Sequence, residues 1–318
     1  MALVSMRGST SSMTKLARRY LAHRRSFGYR LRAEGYDLLA FARFLDRTAP
    51  GEPLSTKLAL QWSKRRGVQP VTVANRLSAI RGFARFCATL DPRTQVPPKR
   101  LTPYRSSRRA PHIFTDAQLR LILRRTQDLR PWRNPLRPLT YRTFIGLLVC
   151  SGLRPSEAIR LRDEDFNAAT GTLRVPAVKR SPARTLPLHP STVQALQRYQ
   201  SIRRSHYPLA SHFFVGPFGR PLQMCAADWT FRRLVRGIPA NGSRPSPRLY
   251  DLRHRFATKW IARWSGQSAP LAHRLVLLSR YLGHRYFHDT YWYVQPESSA
   301  LKKAATQFER YRHQPPSD

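Results

Sequence analysis

The sequence predicts a mainly α-helical protein with a small antiparallel β-sheet, divided into a helical N-terminal domain and a larger mixed α/β domain. Three observations lead there. Apolar residues recur at helical spacing from Leu16 to Leu90 with only short breaks between runs. Proline and arginine then crowd residues 91–110. Helical patterning resumes beyond them and gives way to period-two alternation between Gly171 and Leu188.

Leu16, Tyr20 and Phe27 are spaced for one face of a first helix, and Leu38, Phe41 and Leu45 for one face of a second. Ser55 is placed to cap a third helix running through Trp62 to Arg66. The clearest helix spans Thr72 to Leu90, with Leu77, Ile80, Ala84 and Cys87 on one stripe and Arg81 and Arg85 one turn apart beside it. Asp91 to Ala110 contains Pro92, Pro97, Pro98 and Pro103, then Arg105-Ser106-Ser107-Arg108-Arg109. Such a stretch cannot continue a helix, and it offers little to bury, so it reads as a linker. The expected division is therefore residues 1–104, with the linker from about residue 91, and residues 105–318. The second domain opens at Phe114, where Thr115 or Asp116 can cap a helix. The alternation up to Leu188 predicts a short antiparallel pair with its turn near Arg180 to Ala183. A last amphipathic helix is expected over Ser298 to Tyr311, with Leu301, Ala305 and Phe308 on one side.

A formal charge of +40, from 57 Lys and Arg against 17 Asp and Glu, exceeds what solubility favours and implies a polyanionic partner. Nucleic acid fits best, because basic groups that neutralise phosphates release condensed counterions. A membrane is disfavoured: the longest apolar run, Phe144 to Cys150, falls far short of the roughly 20 residues a spanning helix needs. Ser and Thr interrupt the N-terminus, which lacks a signal-peptide core, so an intracellular, cytoplasmic protein associated with the nucleoid is expected. Cys87, Cys150 and Cys225, odd in number and set among apolar residues, read as reduced core thiols. In so basic a chain, Arg76, Arg81 and Arg85 read as a DNA-facing side of their helix, and Arg105, Arg108, Arg109 and Arg180 as further DNA contacts.

Three short strings carry a single chemistry: Gly152-Leu153-Arg154-Pro155-Ser156-Glu157, Tyr250-Asp251-Leu252-Arg253-His254, and Leu282-Gly283-His284 followed by Thr290-Tyr291-Trp292-Tyr293. Their arginines could hold a phosphodiester, whose non-bridging oxygens gain charge as a pentacoordinate transition state forms. Their terminal tyrosine could attack it. Glu157, three residues after Arg154, could hold that guanidinium in place. No carboxylate or thiol stands in ligand spacing with His273, His284 and His288, so no metal is expected, and no phosphate-binding Gly-Lys loop suggests a nucleotide cofactor.

The order and spacing of these strings resemble the tyrosine recombinase (integrase) family, whose boxes read Gly-x-Arg-x-x-Glu, His-x-x-Arg-His and Leu-Gly-His, with a nucleophilic Tyr nine residues later. Tyr293 lies nine residues after His284. The resemblance implies a helical core-binding domain and a catalytic domain that clamp double-stranded DNA, cleave it through a 3′-phosphotyrosyl link and rejoin it without a cofactor. It further implies a homo-oligomer, a tetramer in the synapse, and suits the integrase or transposase of a bacterial mobile element. By the same resemblance Arg154, Lys179, Tyr250, Arg253, His284 and Tyr293 form the catalytic set. Lys179 is placed as the general acid by a loose match of Arg184-Thr185-Leu186-Pro187-Leu188 to a Lys-x-x-x-x-Arg-x-x-Pro-Leu pattern. Tyr250 departs from the family's usual pattern, which most often has His there. A phenol can donate a hydrogen bond but supplies no imidazolium charge. His254 is expected to be structural. The competing readings are a type IB topoisomerase and a DNA-binding protein derived from a recombinase that has lost catalysis.

Overall fold

The computed structural model of the chain describes residues 12–65, 67–102, 111–177, 181–239, 246–264, 271–291 and 293. The backbone separates into two compact units, Met1–Arg108 and Arg109–Asp318.

The first unit is built from α1 (Met13–Ser26), α2 (Arg32–Thr48), α3 (Thr56–Ser63) and α4 (Pro70–Ala88). Caps explain where these helices start. Asp46, near the end of α2, accepts from the backbone N–H of Met13 at 2.7 Å and from the Thr14 hydroxyl at 2.6 Å, so one helix secures the start of another. Ser55 caps α3 by accepting from the Leu58 N–H, and Pro70 opens α4 at a position where no N–H is needed. The core gathers Leu21, Leu38, Phe41, Leu45, Trp62, Leu77, Ile80, Phe83 and Cys87.

Three expectations need correction. The buried face of α1 is Ala17 and Leu21 rather than Leu16 and Tyr20, which are half-buried. Phe27 lies past the last turn of α1 and is 66% exposed, because the helix ends before its ring could join the stripe. Helix α4 starts at Pro70 and stops at Ala88, two residues earlier at each end than the pattern suggested. The described part of the proline-rich stretch is not helical, and it is tied down on this unit. Gln95 donates its N–H to Leu54 and accepts that of Thr56, and Arg81 donates to the carbonyls of Pro97 and Pro98, both at 2.8 Å. Thr94 and Pro97 are buried there, so the stretch buries more than its composition suggested.

The second unit runs α5 (Asp116–Arg125), α6 (Arg137–Ser151), α7 (Pro155–Ile159), β1 (Phe166–Asn167), β2 (Thr172–Val175), β3 (Arg184–Pro187), α8 (Pro190–His206), α9 (Met224–Leu234), α10 (Asp251–Trp264), α11 (Leu271–Leu282) and α12 (His288–Tyr291). Thr115 and Gln118 form a reciprocal capping box at α5. The expected strand pair is present, with Leu173 opposite Leu186, and a two-residue strand, β1, extends it into a three-stranded antiparallel sheet. Leu173, Val175 and Leu186 turn inward to join Phe144, Leu148, Tyr199, Phe213, Phe214 and Leu252 in the main core. A second cluster joins Phe256, Ile261, Leu278, Leu282 and Tyr293.

Among the thiols, Cys87 is buried but Cys150 and Cys225 are exposed. Apolar neighbours in sequence placed both inside, but their positions on α6 and α9 leave them exposed. No helix among the described residues is long and apolar enough to cross a membrane. The expected tail helix, Ser298 to Tyr311, lies outside the described residues.

Candidate active site

Five segments of the second unit converge on one buried cluster. The first is the corner between α6 and α7. Helix α6 ends at Gly152, whose φ of +62° closes the turn, and a side chain at that position would run into the Phe256 ring. The chain re-enters a helix at Arg154, with Pro155 in the first turn and Glu157 accepting the Arg154 N–H at 2.9 Å. The same carboxylate takes the Arg154 guanidinium at 2.8 Å.

Strand β3 supplies Arg184, whose guanidinium forks onto both Glu157 oxygens at 2.9 and 3.2 Å. Glu157 is 1% exposed. Burial alone would raise its pKa, but Arg184, the Arg154 N–H and Arg253 outweigh that and hold it at about 2. The carboxylate is therefore a fixed anion among guanidiniums.

Helix α10 contributes Arg253 from its first turn, 1% exposed. It donates to the carbonyls of Gly152 at 2.9 Å and Leu282 at 2.8 Å, the two helix ends that bracket the site. Its Nη2 also stands 2.9 Å from His284 Nε2. A guanidinium only donates, so Nε2 must accept, and the ring proton resides on Nδ1, which donates to the Thr290 hydroxyl at 2.7 Å. His284 is thus a neutral imidazole of defined tautomer. Burial and the positive charges of Arg253, Arg154 and Arg184 depress its pKa to about 3.

The end of α11 supplies His284 itself, after Gly283 at φ +67°. Tyr293 follows α12 and is 7% exposed. Its ring stacks on His284 with centroids 5.8 Å apart and planes 11° from parallel, and its other neighbour is His254 at 5.2 Å. Burial raises the Tyr293 pKa, while Arg253, hydrogen-bonded to the phenol, and Arg154 pull against that shift. Tyr250 stands beside Arg154 and Tyr293, with its ring edge-on to His254 at 5.3 Å.

Arg154, Tyr250, Arg253, His284 and Tyr293, singled out from sequence, are therefore assembled together. Lys179 and Arg180 lie outside the described residues, as do Arg105, Arg108 and Arg109 and the side chain of Tyr291. Among the helical arginines of the first unit, Arg85 is exposed. Arg76 lies over the Trp62 ring at 4.8 Å beside Asp37, and Arg81 is engaged by the proline carbonyls. The last two serve their own unit in this state. Two site residues went unassigned from sequence. Arg184 entered only as part of the pattern that placed Lys179, and Thr290 only as the first letter of the string ending in Tyr293, neither with a role of its own. Among the described residues, no three His, Cys, Asp or Glu side chains come together as a metal would require.

The sequence model of the phage integrase family matches residues 114–299. A Sinorhizobium fredii protein assigned as integrase/recombinase y4rB is 36% identical over 310 residues, covering 94% of this chain and 98% of that one. Tyrosine recombinase XerD of Xanthomonas campestris is 30% identical over 238 residues, covering 70% of each. Among solved structures, the Tn1549 transposon integrase in complex with transposon right end DNA superposes with a TM-score of 0.66. It is 18% identical and covers 94% of this chain and 99% of that one.

Proposed function

The chain belongs to the phage integrase family, and on that premise we propose that it is a site-specific tyrosine recombinase of a mobile element, acting on double-stranded DNA as a homo-oligomer. The observation that carries this reading is the convergence of Arg154, Arg253, His284 and Tyr293, from four segments, into one hydrogen-bonded and stacked cluster.

In the proposed reaction the scissile phosphate takes the place of the contact between Arg253 and His284, while Glu157 keeps hold of Arg154 and the Gly152 and Leu282 carbonyls keep hold of Arg253. Both guanidiniums then face the non-bridging oxygens as charge develops there. The Tyr293 oxygen attacks phosphorus, the bond from phosphorus to the 5′ oxygen breaks, and a 3′-phosphotyrosyl link remains. His284, neutral and released by Arg253 as that residue turns to phosphate, can take the phenol proton. Lys179 keeps the role that the family resemblance gives it, protonating the departing 5′ oxygen. The phosphotyrosyl bond retains the energy of the broken linkage, so attack by a 5′ hydroxyl rejoins the strand.

The test is a denaturing-gel assay on a nicked substrate that traps the covalent adduct. Wild type should form the adduct, Tyr293→Phe should form none while binding DNA nearly as well, and Tyr291→Phe should retain it. Arg154→Ala and Arg253→Ala should slow adduct formation by about 10² or more. An adduct that survives in Tyr293→Phe would overturn the assignment. Tyr250 favours a second reading, a DNA-binding protein that no longer turns over. An inactive wild type that Tyr250→His rescues would establish it.

A further inference from the structure

We infer that Arg184, on the sheet rather than in any of the three motifs, is a positioning residue for the phosphate-holding arginines. The inference rests on the recombinase reading and deepens it. Arg184 is nearly buried and ties the start of α7 to the end of α11. Its two terminal nitrogens grip both oxygens of Glu157, its Nε donates to the Tyr281 carbonyl at 2.8 Å, and Nη1 reaches the Ser181 hydroxyl at 3.2 Å. Ser181 in turn donates to the Gly283 carbonyl at 2.9 Å.

Two consequences follow from this geometry. Glu157 carries the Arg154 guanidinium on the same oxygen that Arg184 contacts at 3.2 Å, so the orientation of the carboxylate, and with it of Arg154, is set from the sheet side. The end of α11, whose Leu282 carbonyl holds Arg253, is fixed by the same side chain one residue earlier, at Tyr281. Arg184 thus braces both phosphate arginines without a place at the phosphate. It also accounts for the glycine of Leu282-Gly283-His284: a methyl group at Gly283 would meet the Arg184 guanidinium at 2.6 Å from Nη1 and 2.8 Å from Cζ. The small residue is needed because its φ is +67° and because the Ser181 hydroxyl, the nearest atom, and the Arg184 guanidinium both pack against it.

A lysine keeps the charge but cannot form the fork. Arg184→Lys and Arg184→Gln should therefore both bind duplex DNA within about twofold of wild type. Their single-turnover cleavage should fall, by about tenfold for Lys and about 10²-fold for Gln, the scale of a displaced catalytic group. The decisive substrate carries a methylphosphonate at the scissile position, which is neutral and has little charge for guanidiniums to stabilise. On it the deficits of both variants should shrink to within a fewfold of wild type. Equal deficits on charged and neutral linkages, or no deficit on the charged one, would overturn the inference. Where Arg184→Gln melts well below wild type, the cycle with Glu157→Gln decides: once the carboxylate is neutral, removing Arg184 should add less than about threefold, whereas losses that multiply would mean Arg184 acts elsewhere. A wild type that cleaves neither linkage would instead sink the recombinase reading on which the inference stands.

Discussion

At the residue scale, the state of the free site follows from counting donors and acceptors. His284 faces a guanidinium through one nitrogen and a hydroxyl through the other, so it must be neutral and stays so until the pH nears 3. An unfolded chain protonates the same imidazole near its ordinary value of 6.5. Between those values the unfolded state binds more protons, and acidification therefore favours unfolding. Glu157 adds to this lower down, since the stability it contributes is complete above 4.5 and is lost as the pH falls towards 2. The melting temperature should consequently decline from pH 7 to pH 5, and His284→Gln should flatten the decline. An unchanged slope in that variant would show that His284 protonates freely. Tyr250 is to be judged by a different quantity, the rate. If it donates one hydrogen bond to the phosphate, Tyr250→Phe should cost roughly 0.5 to 3 kcal/mol, or about tenfold in cleavage. Tyr250→His should remain active and gain below about pH 6.5, where a free imidazole charges. Cleavage indifferent to both substitutions would reduce Tyr250 to packing.

At the element scale, the site is assembled from helix ends. The carbonyls of Gly152 and Leu282 close α6 and α11, and Arg253 binds both from the first turn of α10. A glycine at each end makes the approach possible, which gives a graded test within one unit. Gly237 has φ +77°, and a methyl group added there would meet nothing within 4 Å, so Gly237→Ala should cost only the left-handed backbone strain, about 1 to 2 kcal/mol. Gly152→Ala, at φ +62°, must also displace the Phe256 ring and should lower the melting point further. Equal costs would mean that the ring moves aside freely. This scale also shows what the sequence made legible. The glycine and histidine boxes lie at helix boundaries, where local chemistry leaves a short signature, and Thr115, Ser55 and Gly152 could be read that way. Arg184 could not. Its partners lie 27 residues away at Glu157 and 97 away at Tyr281, and nothing in a strand pattern reports such distant pairing. Strand β1 escaped because two residues show no alternation. Cys150 and Cys225 misled because apolar neighbours in sequence do not fix which side of a helix a residue occupies.

At the scale of the whole molecule, charge sets the behaviour. With +40 distributed over 318 residues, association with DNA should be dominated by counterion release. If about 6 to 10 phosphates are neutralised, duplex affinity should fall by roughly 10³ to 10⁵ between about 50 and 200 mM salt. Fluorescence-anisotropy titrations across that range would measure the slope, and a flat response would deny phosphate contacts their leading part. Composition disclosed the charge at once, and the family boxes disclosed most of the side chains that cluster in the second unit. Neither disclosed that the phenol ring rests against two histidine rings, 7% exposed. For a chain this cationic, nearly every encounter in a cell is with the wrong stretch of chromosome. If Tyr293 is the nucleophile proposed above, its burial lets such visits end without a nick, and leaves the sense of place to whatever draws the ring out.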